Sequence, residues 1–470
     1  MRAGAAGGGG WGRQDVAILA AIGMVEGALR IAAPRDGDIF WGAQSGIDTL
    51  QSGIPHVDTY SWSAPGHSWI PSSWGWNVVL GSLYDVFDMA GFLVAALLLG
   101  TMLGIVTALV ARHVGAKPLP TATAMTVIGA FVLAGTPRAT ALSTIAAPLI
   151  LLPVAKTLTG NRREWLRGLA SLIVIQIIWI NLHSGGLLGP VIVAAFGIGF
   201  LAREERQRRR RVVLRLVGIV GALAASCLAT PYGWPLIAHA PKVRSASSGL
   251  IEEWQHFSLA MLLTPTGIAG ALAVGLAVQA LLRSRQYDRL LALFVVVVLA
   301  LSAIRFTPMV LVFVLPEFAL ALGRLAIRDL FMRAAALVVA LGLLAAAIGG
   351  LADFGRVEEM WGSPRLVHEI PGGCRLFNDD VSGGSVILLR HDVPVWIDGR
   401  NDMYGRVRVS RTIDVLHWKP GSAAWIDRQR VTCALVPEED AIVQGLSRVP
   451  GWRVIDTDSS RSLLVQSAGG

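Results

Sequence analysis

Asp36-Gly37-Asp38-Ile39-Phe40-Trp41 opens a polar, Trp-rich stretch that continues through Gly53-Ile54-Pro55-His56-Val57-Asp58 and ends near Trp69 to Trp76. Almost everything else before residue 352 is apolar and helical in pattern. A long acidic loop at the edge of a membrane bundle can meet both lipid-borne and water-borne groups. The reading of this stretch therefore decides the rest.

Composition sets the frame. The chain is 53% hydrophobic and 16% charged, with mean hydropathy +0.57. Soluble domains carry about 25% charged residues, so this is a membrane protein. A net charge of +9 and a pI near 10.1 would suit nucleic acid. The basic residues instead sit in short loops between apolar runs, where they set membrane orientation, and nucleic acid is excluded as a partner. Cys227, Cys374 and Cys433 have no CxxC spacing and form no metal motif. Cys374 and Cys433 fall in the same C-terminal region, where a disulfide and two free thiols both remain open. Arg2 and Arg13 precede an apolar run like that of a signal peptide, but Glu26 and Arg30 interrupt it, so an uncleaved first span is expected.

Eleven spans are expected, at about 14–33, 89–111, 120–135, 139–157, 165–182, 186–202, 212–230, 259–282, 288–304, 307–323 and 331–351. With the N-terminus (1–13, disordered) in the cytoplasm, 21 Lys and Arg residues before 352 lie inside. Only Arg35, Arg138, Lys242, Arg244 and Arg305 lie outside. That asymmetry puts the loop 34–88, the loop 231–258 and the C-terminal region on the outer face of a bacterial cytoplasmic membrane. Trp74 to Val86 is expected as an interfacial helix. The run Arg203 to Arg211 is expected to face anionic lipid. After residue 352 the pattern changes. Strands are expected at 375–377, 385–389, 393–397, 431–436 and 462–465, with helices near 408–418, 421–430 and 438–447. The fold class is thus an α-helical polytopic membrane bundle, residues 14–351, followed by a small extracytoplasmic α/β domain, residues 352–470.

Several residues could carry chemistry. Asp36 and Asp38 stand at the water–lipid boundary, where a carboxylate is placed to accept a proton from an attacking hydroxyl; helix capping and loop solvation are the plainer roles. Asp58 could be a second carboxylate, or a turn former with Ser61. His56 shares the loop. His183, after Trp179-Ile180-Asn181-Leu182, sits at the outer end of a span and could bind phosphate or cap the helix. Arg138 and Arg305 stand at outer span ends against the charge trend, placed to contact a lipid phosphate or to snorkel to headgroups. Glu253 and Trp254 combine acid and aromatic in a way that suits a sugar, although interfacial anchoring is the commoner use of Trp.

In order along the chain, Asp36-x-Asp38-x-Phe40-Trp41, Gly53-x-Pro55-x2-Asp58-x2-Ser61-Trp62, Trp179-x-Asn181-Leu182-His183, Pro231-Tyr232-Gly233, Glu253-Trp254, Arg305-Phe306-x-Pro308, Phe377-Asn378-Asp379 and Asp398-Gly399-Arg400 resemble the motifs of a bacterial multispan family. Its members are similar to GT-C glycosyltransferases. Two positions depart: Gly42 stands where that family has a His, and Phe40 replaces a Trp. The resemblance implies a polyprenyl-phosphate-linked sugar donor used at the outer face. It also implies an outer-loop Asp as base, and inversion at the anomeric carbon. The acceptor would be an envelope glycan, lipid or protein. Asp38 or Asp36 fits the base, and Arg138, His183 or Arg305 fits the phosphate. No cofactor is firmly implied, because two loop carboxylates make a poor Mg²⁺ or Mn²⁺ site. A lipid or precursor transporter would need charges near mid-membrane, and few exist beyond Glu26 and Arg30. A non-catalytic scaffold is the third reading, with Asp398-Gly399-Arg400 as a turn or ion-pair element.

Overall fold

The computed structural model describes residues 10–31, 37–132, 137–324, 329–352 and 363–467. Asp36 and Arg35 lie outside the described residues, so the expected role of Asp36 has no structural counterpart here. The chain forms two compact units. The first comprises residues 1–30, 95–237 and 252–350, and the second residues 31–94, 238–251 and 351–470.

The first unit is helical throughout. Among the described residues six helical segments are long and apolar enough to cross a membrane: Ala90–Val114, Thr140–Thr159, Arg162–Leu182, Ser184–Leu201, Pro265–Arg283 and Ile304–Leu322. The protein is therefore a multi-pass membrane protein. The other five expected spans fall on Arg13–Ile31, Pro118–Val132, Arg206–Ser226, Tyr287–Ser302 and Asp329–Ala352. These are shorter, or carry charge within or beside the apolar run. Close packing relies on small residues, as it must where lipid removes the hydrophobic drive between helices. Gly23 and Gly27 bring Arg13–Ile31 backbone-to-backbone against Ala96, Gly100 and Gly104, and a Cβ at Gly23 would strike the Gly100 carbonyl. The helix Arg162–Leu182 starts with a capping box: the Asn161 side chain accepts from Glu164 N–H at 3.0 Å, and Glu164 accepts from Asn161 N–H at 2.9 Å.

In the second unit the stretch expected as a loop contains two helices, Asp38–Ser52 and Trp74–Phe87. They pack closely because Gly46 lies on the backbone of Asn77 and Val78, and Gly81 on Ala43 and Ile47. Periodicity concealed this, since glycines rather than large apolar residues form the contact. Gly42 belongs to the same face: it is buried, and a Cβ there would sit 3.3 Å from Asn77 Oδ1. The interfacial helix expected at 74–86 coincides with Trp74–Phe87.

The region after 363 carries a four-stranded sheet of β1 (Leu376–Asn378), β2 (Cys433–Pro437), β3 (Trp452–Thr457) and β4 (Arg461–Gln466), in the order β1-β2-β4-β3. Only β1 and β2 run parallel. Three of the expected strands match it. β3 lies outside the expected strands, because its run Trp452-Arg453-Val454-Ile455-Asp456-Thr457 does not alternate apolar and polar residues and is exposed or half-buried after Trp452. The strand expected at 385–389 is instead part of the helix Asp380–Leu389. Asp379 caps this helix, accepting from Val381 N–H at 3.2 Å, and Gly383 and Gly384 press onto the carbonyls of Ile397 and Gly37. Residues 393–397 form no strand either. They contribute a single parallel bridge, Val395 to Ser61. Trp396, Phe377 and Trp425 centre one core, with Trp41, Tyr60 and Trp62 packed on it. Cys374 and Cys433 form a disulfide, which closes the question their spacing left open.

Candidate functional site

In the first unit, three irregular joints between helices bring charge together. Arg138 precedes the helix Thr140–Leu149, Glu253 sits in the short helix Glu252–Trp254, and Arg305 lies in Ile304–Phe306 before the helix Thr307–Leu322. Arg138 Nη1 donates to Glu253 Oε2 at 2.8 Å, and Arg305 Nη1 lies 3.2 Å from Oε1. The Arg305 guanidinium stacks 4.3 Å above the Trp254 ring. Two backbone bonds, Ile304 N–H to Gln255 and Phe257 N–H to Leu301, join the two joints. Burial alone would push the Glu253 carboxyl up, but Arg138 and Arg305 hold it below the usual carboxylate range. Glu253 is thus an ionised carboxylate held between two guanidiniums.

His183 lies within the field of the same two arginines. Burial, then Arg305, then Arg138, push its imidazole down to about 3, so it is neutral at any ordinary pH. Its tautomer follows from its partners. Nδ1 accepts from Gly185 N–H at 3.1 Å, so it carries no proton. Ser143 Oγ, 2.6 Å from Nδ1, must then donate to it, while accepting from Trp179 Nε1 at 2.8 Å. The ring proton resides on Nε2, which makes His183 a neutral donor. Sequence reasoning found His183, Arg138 and Arg305 but missed Ser143, a lone Ser in an apolar helix.

In the second unit, Asp38 occupies the first turn of its helix. Its Oδ1 accepts from Trp41 Nε1 at 3.0 Å and lies on the backbone of Gly399, where any Cβ would collide with both. Gly399 is required by that approach, not by its own backbone angle. Asp380 adjoins this group. Burial, then Asp379, then Asp38, raise its carboxyl to about 7. The described residues hold no His, Cys, Asp and Glu group arranged to bind a metal ion.

Asp58 is placed differently. Only 2% exposed, it accepts from Tyr60 N–H, Ser61 N–H and Ser61 Oγ at 3.2, 3.1 and 2.6 Å, and it lies 2.8 Å from Arg400. Arg400 is bidentate on Asp398, at 2.7 and 2.6 Å, and its guanidinium lies over Trp69 at 4.5 Å. The geometry is that of a turn former and buried counter-ion, the alternative foreseen for Asp58 and for Asp398-Gly399-Arg400. His56 is exposed, and its carbonyl accepts from Trp69 N–H at 2.9 Å.

No family model matches this sequence, and no curated protein does. Solved structures do. The chain aligns with ArnT from Cupriavidus metallidurans in the apo state with TM-score 0.61 and 13% identity, covering 96% of this chain and 97% of that one. For the same protein bound to undecaprenyl phosphate the values are 0.54 and 14%, over 97% and 98%. At such identity the likeness is one of fold, and over nearly its whole length this chain has the fold of ArnT.

Proposed function

We propose that this protein is a membrane glycosyltransferase that moves a sugar from a polyprenyl-phosphate donor to an envelope glycan, lipid or protein. The observation that carries the reading is the convergence of Arg138 and Arg305 on Glu253 beside a neutral His183 that can only donate through Nε2. Two guanidiniums and a neutral N–H donor suit a phosphate whose charge grows as the glycosidic bond breaks. The ArnT fold, in a structure that holds undecaprenyl phosphate, supports a polyprenyl-linked donor.

Asp38 is the base in this reading. It takes the proton of the acceptor hydroxyl, and the oxygen attacks the anomeric carbon. The bond from that carbon to the phosphate oxygen breaks on the opposite face. The electron pair leaves on the polyprenyl phosphate, and configuration inverts. Asp58 serves the fold, because Arg400 already neutralises it. The bias of basic residues puts this chemistry on the outer face.

The test compares glycolipids and envelope glycans by mass spectrometry in cells lacking the protein and in cells complemented with wild type, Asp38→Asn or Arg138→Gln/Arg305→Gln. Wild type should restore the missing species and neither variant should. Full restoration by Asp38→Asn would remove it as the base. Full restoration by the double arginine variant would remove the phosphate site.

A further inference from the structure

The helices Arg162–Leu182 and Arg206–Ser226 begin side by side, and their first turns line an open groove of about 800 Å³. Arg162, Arg210 and Arg211 are exposed along it, and Arg215 lies deeper. Both helices present the positive end of their dipole here, where cations are disfavoured. The helix Arg206–Ser226 has no acidic residue in its first turn, and like charges crowd each other along Arg208 to Arg211. Arg162, Arg210 and Arg211 make no ion pair among the described residues. Glu164 is committed to capping Asn161 N–H and to Lys156, at 2.9 and 3.5 Å. Glu205 sits at the N-cap of its helix, with Glu204 beside it. Arg215 is fixed: Nη1 donates to the carbonyls of Leu158 and Gly160 at 3.0 and 2.7 Å, and its guanidinium lies 5.4 Å from the Trp165 ring. The groove thus has a hydrogen-bonded wall and an exposed cationic rim.

Its other side is apolar. Leu166 is 53% and Leu214 64% exposed, each within a turn of the arginines on a helix that continues as an apolar run. Arginines next to exposed leucines suit a ligand that is anionic at one end and hydrocarbon at the other. We propose that this groove binds the phosphate headgroup of an anionic phospholipid from the adjoining leaflet. Arg162, Arg210 and Arg211 hold the phosphate, Trp165 lies at the interface, and Leu166 and Leu214 receive the upper acyl chain. The anion offsets the charge stacked on two helix N-termini. This proposal does not depend on the transferase reading.

The test uses the full-length purified protein and native mass spectrometry with dioctanoyl phosphatidylglycerol, dioctanoyl phosphatidylcholine, inorganic phosphate and a short RNA. Wild type should retain phosphatidylglycerol in preference to phosphatidylcholine. Arg210→Gln/Arg211→Gln should weaken that binding roughly thirtyfold, taking the usual worth of two basic residues at an anionic surface. Arg206→Gln/Arg208→Gln removes the same charge at residues that do not line the groove and should weaken binding at least tenfold less. Leu166→Gln/Leu214→Gln should weaken phosphatidylglycerol and leave inorganic phosphate unchanged. Equal losses in the two arginine variants would reduce the groove to diffuse attraction and overturn the proposal. So would inorganic phosphate or RNA binding as tightly as the lipid. Thermal melting of each variant separates lost binding from lost folding.

Discussion

Arg400 and Asp58 lie 2.8 Å apart with both side chains almost wholly buried, which ties the Trp-rich stretch to the Asp398-Gly399-Arg400 turn. Tyr404 Oη and Arg400 both donate to Asp398, so the cage is dense with charge and closed to water. Removing one partner of a buried pair leaves an uncompensated charge, which costs about 3–5 kcal/mol. Arg400→Met should therefore lower stability by that amount, because it strands both Asp58 and Asp398. Asp58→Asn leaves Arg400 its bidentate partner and should cost less. Chemical denaturation of the purified variants measures both. Equal costs would mean that Asp58 and Asp398 are not graded as the geometry grades them.

Ser143 donates to Nδ1 of the neutral His183 beside the Gly185 N–H, so its replacement tests how firmly that ring is held. Ser143→Ala removes the donor to Nδ1, and Gly185 N–H is then its remaining donor. Activity should fall about tenfold, less than the roughly hundredfold or more that loss of a direct transition-state donor costs. The pH–rate profile should stay free of an imidazole step between pH 5 and 9 in wild type, since His183 titrates near 3. Arg305→Gln withdraws one of the two positive fields and should move that titration upward. A step near pH 6.5 in wild type that persists in Asp380→Asn would show that His183 is not neutralised as described.

Much of this was legible in the sequence, and what was not has identifiable causes. Arg138 and Arg305 stood out because basic residues are rare at that end of the spans. His183 stood out because a polar group ends an apolar run. Their convergence on Glu253 was not legible, because it depends on how three short joints approach one another in space. The helical character of Asp38–Ser52 was hidden, since Gly42 and Gly46 provide the contact face where large apolar residues normally would. Ser385 to Leu389 has strand-like composition, yet the Asp379 cap and the close approach of Gly383 and Gly384 make it helix. Asp380 escaped notice because a carboxylate beside another in a sequence gives no sign that a third, Asp38, folds against it.

Asp380 makes stability depend on pH in a direction unusual for a carboxylate. Its folded value, about 7, lies above the ordinary value near 3.8. Between roughly pH 4 and 7 the folded protein therefore binds a proton that the unfolded chain has lost. Its contribution is present in full below the lower value and is lost as pH rises toward 7. Asp380→Asn should raise the melting temperature at pH 8 and leave it nearly unchanged at pH 4. Asp38→Asn removes one of the charges that raise Asp380 and should shift the transition to lower pH. A melting curve for Asp380→Asn that tracks wild type across pH 4–8 would sink this account.

The Cys374–Cys433 disulfide spans 59 residues of sequence and links the approach to β1 with the first residue of β2, so its loop holds β1 and the helices that follow it, while β3 and β4 lie beyond. In the chain-entropy view, a closed loop of this length stabilises the fold by about 4 kcal/mol. Cys374→Ala/Cys433→Ala should lose up to that amount, less whatever the parallel pairing of Leu376 with Cys433 already fixes. The bond also reports on the compartment, because disulfides persist outside the reducing cytoplasm. In intact cells, alkylation under denaturing conditions should leave both cysteines unmodified until a reductant is added. Cys227, buried and not disulfide-bonded, should react as soon as the chain unfolds. Immediate labelling of all three cysteines would mean that the sheet faces the cytoplasm, and with it the outer-face assignment of the transferase would fall.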